Sequence, residues 1–423
     1  MPARATPPGL RIERVDSPAL LHVWEQTVCR GYPLEGLEDA PAGALAGSAI
    51  VDVKLTDTLA PPLSGVRDYM SAYPYNCFEQ RLSRSVVLGD APAWDALAAD
   101  IPAYMDGDGL LRYFPIAELR GSEALTAYVL SMTAEAGYVI PDAARLKMIA
   151  AMKSVVTGRM SRDYPWGGDA RLLRISALAA LARNGASTPA MLASVSLAPV
   201  DMPTTALSDW IAAIDRTKGA NAALRVEAEK TLRTRLVYEG SRLDLADQDR
   251  APWWMMSSGD EMAIKALLAA LGRPGWSDEA PKMMIGVALR QQRGHWDTTT
   301  ANAWGTIAAR RFGTLFPATA IAGTTTVSLA GQSASQSWPM AAGTAPLMLK
   351  APDTQMPLTL TQNGGAGPWA MISVRAAVPL QQPFTAGLHR FGARGERAAR
   401  QSGVRAERAS ADAEGRDRRF VSQ

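Results

Sequence analysis

The spacing of apolar residues changes twice along this 423-residue chain, and that double switch limits what it can fold into. In Ala49-Ile-Val-Asp-Val-Lys-Leu-Thr56 it alternates strictly, with Val51, Val53 and Leu55 on one face and Asp52, Lys54 and Thr56 on the other. That pattern belongs to a half-buried strand, which Pro61-Pro62 ends. From about Leu63 to Phe312 the spacing is helical. Ser122–Ala136 and Ala170–Arg183 each gather their apolar residues on one stripe, closed by Gly137 and by Asn184-Gly185. Asp142–Val156, Ala222–Val237, Gly259–Leu271, Ala280–Gln291 and Thr299–Arg311 read likewise. Turns at Gly107-Asp108-Gly109, Pro165-Trp166-Gly167-Gly168 and Arg273-Pro274-Gly275 make this a series of antiparallel helices with short loops. The period then returns to two in Thr324–Leu329, Pro346–Lys350, Pro357–Thr361 and Trp369–Ala376.

One strand before the helices and about four after them imply a multidomain α+β chain, a β-sandwich with a helical block inserted in it. Two independent domains would leave the strand at 49–56 without a sheet. The partition that follows is 1–48 as an N-terminal partial segment, 49–62 and 313–384 as the two parts of the sandwich, and 63–312 as the helical domain. Residues 1–48 are rich in Pro, Gly and Ala, with a strand candidate at Leu21–Val28. Residues 385–423 read as a disordered Arg/Ala/Gly-rich tail. From Leu388 onward there are nine Arg, no Lys and five acids, an abrupt shift that also resembles an out-of-frame or truncated gene end.

Without that tail the body carries 35 basic and 36 acidic residues, which gives no footprint for nucleic acid or an anionic membrane. Two cysteines, Cys29 and Cys77, exclude a disulfide framework and a Cys-rich zinc module. His22, His295 and His389 are too scattered for a His-based metal site, so neither metal nor cofactor is expected. No apolar run approaches ~18 residues, and the start shows no signal-peptide core.

The chemistry concentrates in Tyr73-Pro-Tyr-Asn-Cys-Phe-Glu-Gln80, followed by Arg81-Leu-Ser-Arg84, where the chain enters the helical block. Asn76 reads as an N-cap with Glu79 as its capping-box partner. Cys77 then falls at the first helical position, where free N–H groups and the helix dipole favour a thiolate. Gln80, three residues on, can bring its side-chain carbonyl to the sulfur. Attack with loss of ammonia would give an internal thioester, a stored acyl electrophile. An isolated Cys is, however, more often a buried apolar filler.

This stretch resembles the thioester signature of the bacterial alpha-2-macroglobulins, in which Cys, a variable residue, Glu and Gln follow an aromatic-Pro-aromatic turn. Gln291-Gln-Arg-Gly-His-Trp-Asp-Thr-Thr-Thr-Ala-Asn-Ala-Trp304 resembles the last hairpin of that family's thioester domain, and Gly121-Ser-Glu-Ala-Leu-Thr-Ala-Tyr128 also fits. The resemblance covers about residues 49–384. It implies an α/α toroid of helical hairpins inserted in a CUB-type β domain. It also implies a protease inhibitor rather than an enzyme, trapping target proteases covalently through their lysines. Carried over, Cys77 and Gln80 form the thioester, Tyr73 shields it and Glu79 helps to hold the turn, with Asn76 beside them. Asn76 and Phe78 depart from the small residues of many members. No counterpart of the vertebrate-type relay histidine stands out, because His295 belongs to the Gly-His-Trp turn, where a packed or hydrogen-bonded role is the stronger reading. The family's upstream macroglobulin domains, bait segment and C-terminal domain have no counterpart here, which is the pattern of a fragment. By resemblance the parent is periplasmic and lipid-anchored, though this chain shows no anchor, and it works beside a peptidoglycan-synthesising penicillin-binding protein.

Against this stands an α/α-toroid glycan-processing or binding domain with an inert Cys77. Trp253-Trp254-Met-Met256 could line its cleft, but core packing at a helix start accounts for them better. No distant carboxylate pair suits glycoside hydrolysis. Asp106-Gly-Asp108-Gly109 reads as a solvated helix connection, since no Glu completes a calcium loop. Cys29 lies outside the helical block and reads as a filler.

Overall fold

In a computed structural model, the described residues are 47–377, apart from 62, 163–167, 240–241, 247–250, 319, 341–343, 353 and 355. The strand candidate at Leu21–Val28, Cys29 and the tail from 385 lie outside them. The chain divides at 55/56 and 320/321 into two compact units, one built from both flanks and the other from the stretch between.

The flanking unit holds two three-stranded sheets. Strand β1 (Ile50–Thr56) lies between β6 (Leu347–Lys350) and β8 (Trp369–Arg375), and β4 (Gly323–Leu329) lies between β5 (Gln332–Trp338) and β7 (Leu358–Asn363). The β1–β6 register sets Val51 opposite Leu349 and Val53 opposite Leu347. The alternating face of β1 is thereby buried, in one cluster with Val327, Leu329 and Leu358 from the second sheet. Strand β5, Gln-Ser-Ala-Ser-Gln-Ser-Trp, has no apolar alternation to announce it. It is held instead by a full antiparallel register with β4 and by hydroxyl pairs such as Thr326–Ser335 at 2.9 Å.

The second unit is helical: α1 (Ser64–Ala72), α2 (Phe78–Leu88), α3 (Ala91–Ala99), the short α4 (Ile101–Tyr104), α5 (Glu123–Ala136), α6 (Asp142–Val156), α7 (Ala170–Arg183) and α8 (Pro189–Ala193) come first. Then follow α9 (Thr204–Arg216), α10 (Ala222–Thr234), α11 (Gly259–Ala270), α12 (Glu279–Leu289) and α13 (Thr299–Leu315). Ser122, Asp169, Asn221, Ser258 and Thr298 each accept a backbone N–H as N-caps of α5, α7, α10, α11 and α13. The helix expected over Ala222–Val237 ends at Thr234. Leu236–Glu239 (β2) instead pairs with Arg242–Leu245 (β3), which buries Leu243 and Leu245. A continuous helical spacing could not distinguish this short hairpin from another turn of helix.

Six helices, α2, α5, α7, α9, α11 and α13, pack on one another in cyclic order, with α13 returning to α2. They are buried nearly all round, whereas α1, α3 and α10 bury two or three residues each and pack against their chain neighbours. At one end of the six, the first turns of α2, α11 and α13 meet, where Thr299 bonds Glu79 and Thr300 bonds Glu261. The last turns of α5, α7, α9 and α13 meet at the other, where Glu135 receives Arg183, Arg216 and Arg311. A helix of this length places the two ends about 20 Å apart.

Candidate functional site: the Cys77–Gln80 turn

Cys77 is the N-cap of α2, not its first residue. Its backbone is extended (φ −67°, ψ 169°), and its carbonyl takes the first intrahelical bond, from Arg81 N–H at 3.0 Å. The capping box expected of Asn76 and Glu79 is made one residue later. The Cys77 side chain receives the Gln80 backbone N–H, and the Gln80 Oε1 receives the Cys77 N–H at 3.0 Å. The frame moves because Asn76 is otherwise engaged. It is exposed, and its Oδ1 accepts from Arg84 Nη1 at 3.0 Å. Phe78 is fixed from the other side: its N–H donates to the Tyr113 carbonyl at 2.9 Å, and its buried ring meets Tyr104 edge-on, 4.9 Å between centroids.

Arg84 is the residue whose part the sequence does not announce. From the second turn of α2 it reaches back over the whole loop, donating to the carbonyls of Met70, Tyr73 and Tyr75 as well as to Asn76. The loop carbonyls converge on one planar fork, which an ammonium could not match. The Arg-Leu-Ser-Arg run after the motif was its only signal.

Cys77 is buried, 6 % exposed. Burial, with a smaller contribution from the Glu79 carboxylate, pushes its thiol up to about 11, against the pull of the Gln80 and Glu79 N–H groups. The expected thiolate is therefore overturned: desolvation outweighs the helix dipole. Glu79 is itself buried and its pKa raised by desolvation. Its carboxylate is taken by Ser83 Oγ at 2.6 Å and Thr299 Oγ1 at 2.8 Å, so it ties α2 to α13. Ser83 passes the network to the Tyr128 hydroxyl at 2.6 Å, which brings in the Gly121–Tyr128 stretch.

Tyr73 is half-buried, its ring edge-on to Tyr69 (5.4 Å) and Tyr75 (5.6 Å). Tyr69 stacks flat on His295 at 3.7 Å, and the His295 Nδ1 donates to the Trp296 carbonyl at 2.8 Å. His295 is thus a packed, hydrogen-bonded turn residue two rings away from Tyr73. The hairpin carrying it can sit this close because Gly65 and Gly294 are both glycine: a Cβ on Gly65 would lie 2.7 Å from the Gly294 oxygen. All three stretches singled out in the sequence therefore converge around α2.

The other candidates are spent elsewhere. Asp106 accepts the N–H groups of Asp108, Leu110 and Gly121 and pairs with Arg162 at 2.7 Å, and Arg162 also binds Asp108. Among the described residues no group of three or more His, Cys, Asp or Glu side chains could hold a metal ion. The Trp253–Met255 segment is a 3-10 turn rather than a helix start. Trp253 is 66 % exposed, contrary to the core packing expected of it, while Trp254 is pressed against Gly168. No helix among the described residues is long and apolar enough to cross a membrane.

No family model and no curated protein matches the sequence. Solved structures do match. Escherichia coli alpha-2-macroglobulin, in a native structure spanning domain MG7 to the C-terminus, aligns with a TM-score of 0.54 at 16% identity, over 84% of this chain and 56% of that one. The trypsin-activated protein from the same organism gives a TM-score of 0.54 at 15% identity, with 84% of this chain and 24% of that one. The elastase-activated form gives 0.54 at 16%, with 84% and 32%. The chain thus spans about half of the shorter of these structures and a quarter to a third of the longer ones. At the level of fold, it has the architecture of this part of the bacterial alpha-2-macroglobulins.

Proposed function

We propose that this chain is the thioester-bearing part of an alpha-2-macroglobulin-like protease trap, an inhibitor rather than an enzyme. The observation that carries the reading is the reciprocal Cys77–Gln80 pairing across the first turn of α2. It holds the sulfur and the side-chain amide on one turn. In the bond-forming step the sulfur attacks Gln80 Cδ and a C–S bond replaces C–N. The thiol proton ends on the amide nitrogen, which leaves as ammonia. A lysine Nζ of a protease then takes the acyl carbon, the C–S bond breaks, and the amine proton restores the Cys77 thiol.

Burial suits this chemistry. A thioester sulfur carries no charge to desolvate, and an environment that raises the thiol to about 11 makes thiolate a poor leaving group while the site stays closed. Exposure to water would return the sulfur towards an ordinary thiol pKa of ~8.5 and ease its departure. Tyr73 is read as the shield, and Arg84 as the clamp that keeps its loop in place. The cyclic order of the six inner helices supports an α/α toroid, and the shared core of the two sheets supports a CUB-like sandwich built from its two flanks. Target proteases as partners, a peptidoglycan-synthesising penicillin-binding protein beside them and a periplasmic setting belong to the same proposal.

The deciding experiment is the intact mass of freshly purified protein. The expected mass is that of the sequence less one ammonia, with Cys77 unreactive to alkylating agents until methylamine is added. A full sequence mass with Cys77 alkylated in the native state would instead favour the helical binding domain with an inert cysteine.

A further inference from the structure

At the opposite end of the helical ring from Cys77, the last turns of α5, α7, α9, α11 and α13 surround an open cavity of about 730 Å³. Its charge is one-sided. Six cationic side chains line it, Arg183, Arg216, Lys265, Arg273, Arg310 and Arg311, against two carboxylates, Glu135 and Asp215. Some of that charge is matched locally. Lys265 holds Asp209 at 2.6 Å behind the wall, and Arg273 pairs with Asp215. The remainder is matched only in part. Glu135 serves Arg183, Arg216 and Arg311 at 2.7–2.9 Å, and Asp209, already held by Lys265, is a second and longer partner of Arg183 at 3.7 Å. Arg310 donates to the Val86 carbonyl, and no ion pair to it occurs among the described residues.

Collecting these guanidinium groups in a partly enclosed space is costly without an anion. Burial, together with Arg183 and Arg311, lowers the Arg216 pKa despite Glu135 beside it. Helix C-termini attract cations, but that attraction falls off within the last turn and does not require them to share one cavity. Leu268, Leu271, Ile307 and Leu315 supply apolar wall between the charges, and the volume lies within the range of small-molecule sites. Arginine forks are matched to carboxylate and phosphate oxygens.

We propose that this mouth of the ring binds a small organic polyanion bearing two or more carboxylate or phosphate groups. The site is about one helix length from Cys77 and does not depend on whether a thioester forms there.

The test is calorimetric titration of the full chain with citrate and, separately, with fructose 1,6-bisphosphate, at fixed ionic strength and with glucose as the uncharged control. Saturable one-to-one binding of either anion is expected, the stronger arm identifying carboxylate or phosphate as the preferred group. An Arg310→Gln/Arg311→Gln double variant should weaken binding at least tenfold while leaving the methylamine reactivity of Cys77 unchanged. Should the double variant not fold, Arg310→Gln alone serves, since in the described structure it removes only the bond to the Val86 carbonyl. Absence of saturable heat with both anions, or an unchanged affinity in the variant, overturns the proposal.

Discussion

Glu79 and Thr299 stand 220 residues apart in the chain and share a buried pair of hydrogen bonds, from one threonine hydroxyl to both carboxylate oxygens at 2.8 and 3.0 Å. This contact joins the first turn of α2 to the first turn of α13 and so holds the Cys77 turn against the far end of the helical unit. The consequence for the site is a base tied across the helical unit, beneath the Tyr73–Asn76 loop that Arg84 holds.

Gln80→Glu separates capping from chemistry. A carboxylate at this position still accepts the Cys77 N–H, so stability should change by no more than the ~0.5–2 kcal/mol that a cap is worth. It offers no amide from which ammonia can leave. Intact mass should equal the variant's sequence mass, and Cys77 should titrate as a free thiol once unfolded, with no methylamine requirement.

Tyr73→Ala should open the site without unfolding the protein. The ring is half-buried and makes two edge-on contacts, so its loss should cost about 0.5–1.5 kcal/mol per aromatic pair. Methylamine-triggered thiol release should accelerate at least ~10-fold, roughly 1.4 kcal/mol off the barrier. Unchanged release with a lowered melting point would assign Tyr73 to packing alone.

Arg84→Ala should release the loop more completely, since four acceptors lose their donor. Stability should fall by about 1–3 kcal/mol, and methylamine should react faster than with Tyr73→Ala. Arg84→Lys should restore little of either, because a single ammonium cannot span the same carbonyls. Thermal unfolding and thiol release on the three proteins check this.

Glu261 gives a pH signature. Burial raises its pKa from 4.5 to about 8, against the pull of Lys265. The folded state therefore holds the proton more tightly than the unfolded one. The stability it contributes is present below about 4.5 and is lost as pH rises through about 8. Glu261→Gln, which can still accept from Thr300, should flatten the fall in melting temperature across that window. An identical slope in both proteins would contradict the buried, proton-holding carboxyl.

Much of the architecture was legible because tertiary burial and local period agree. Asp142–Val156 and Ala170–Arg183 begin and end where their spacing places them, the second at the Asn184-Gly185 stop. The strand at 50–56 could be read because one of its faces had to be covered. Strand β5 was not, since Ser and Gln carry no burial signal and its partner supplies the order. At the site, the Cys77–Gln80 relation was legible from spacing, but its frame was not. Cysteine is not a favoured cap, and what displaces Asn76 is Arg84, together with a bond from Phe78 to the Tyr113 loop. The thiol's protonation also went against the local rule, because burial is a property of the packed unit and not of the helix terminus.

The threading of the chain has a mechanical consequence. Ser48 Oγ accepts the Ala377 N–H at 3.1 Å, so the two ends of the described chain meet beside the adjacent strands β1 and β8. A pull applied through those ends loads that strand pair first. The helical unit is the stretch of chain between residues 56 and 320, so it comes under load only after that pair has parted. Tension on the flanks would peel the sheet before it strained the turn that holds Cys77, which is mechanically insulated by its place in the chain.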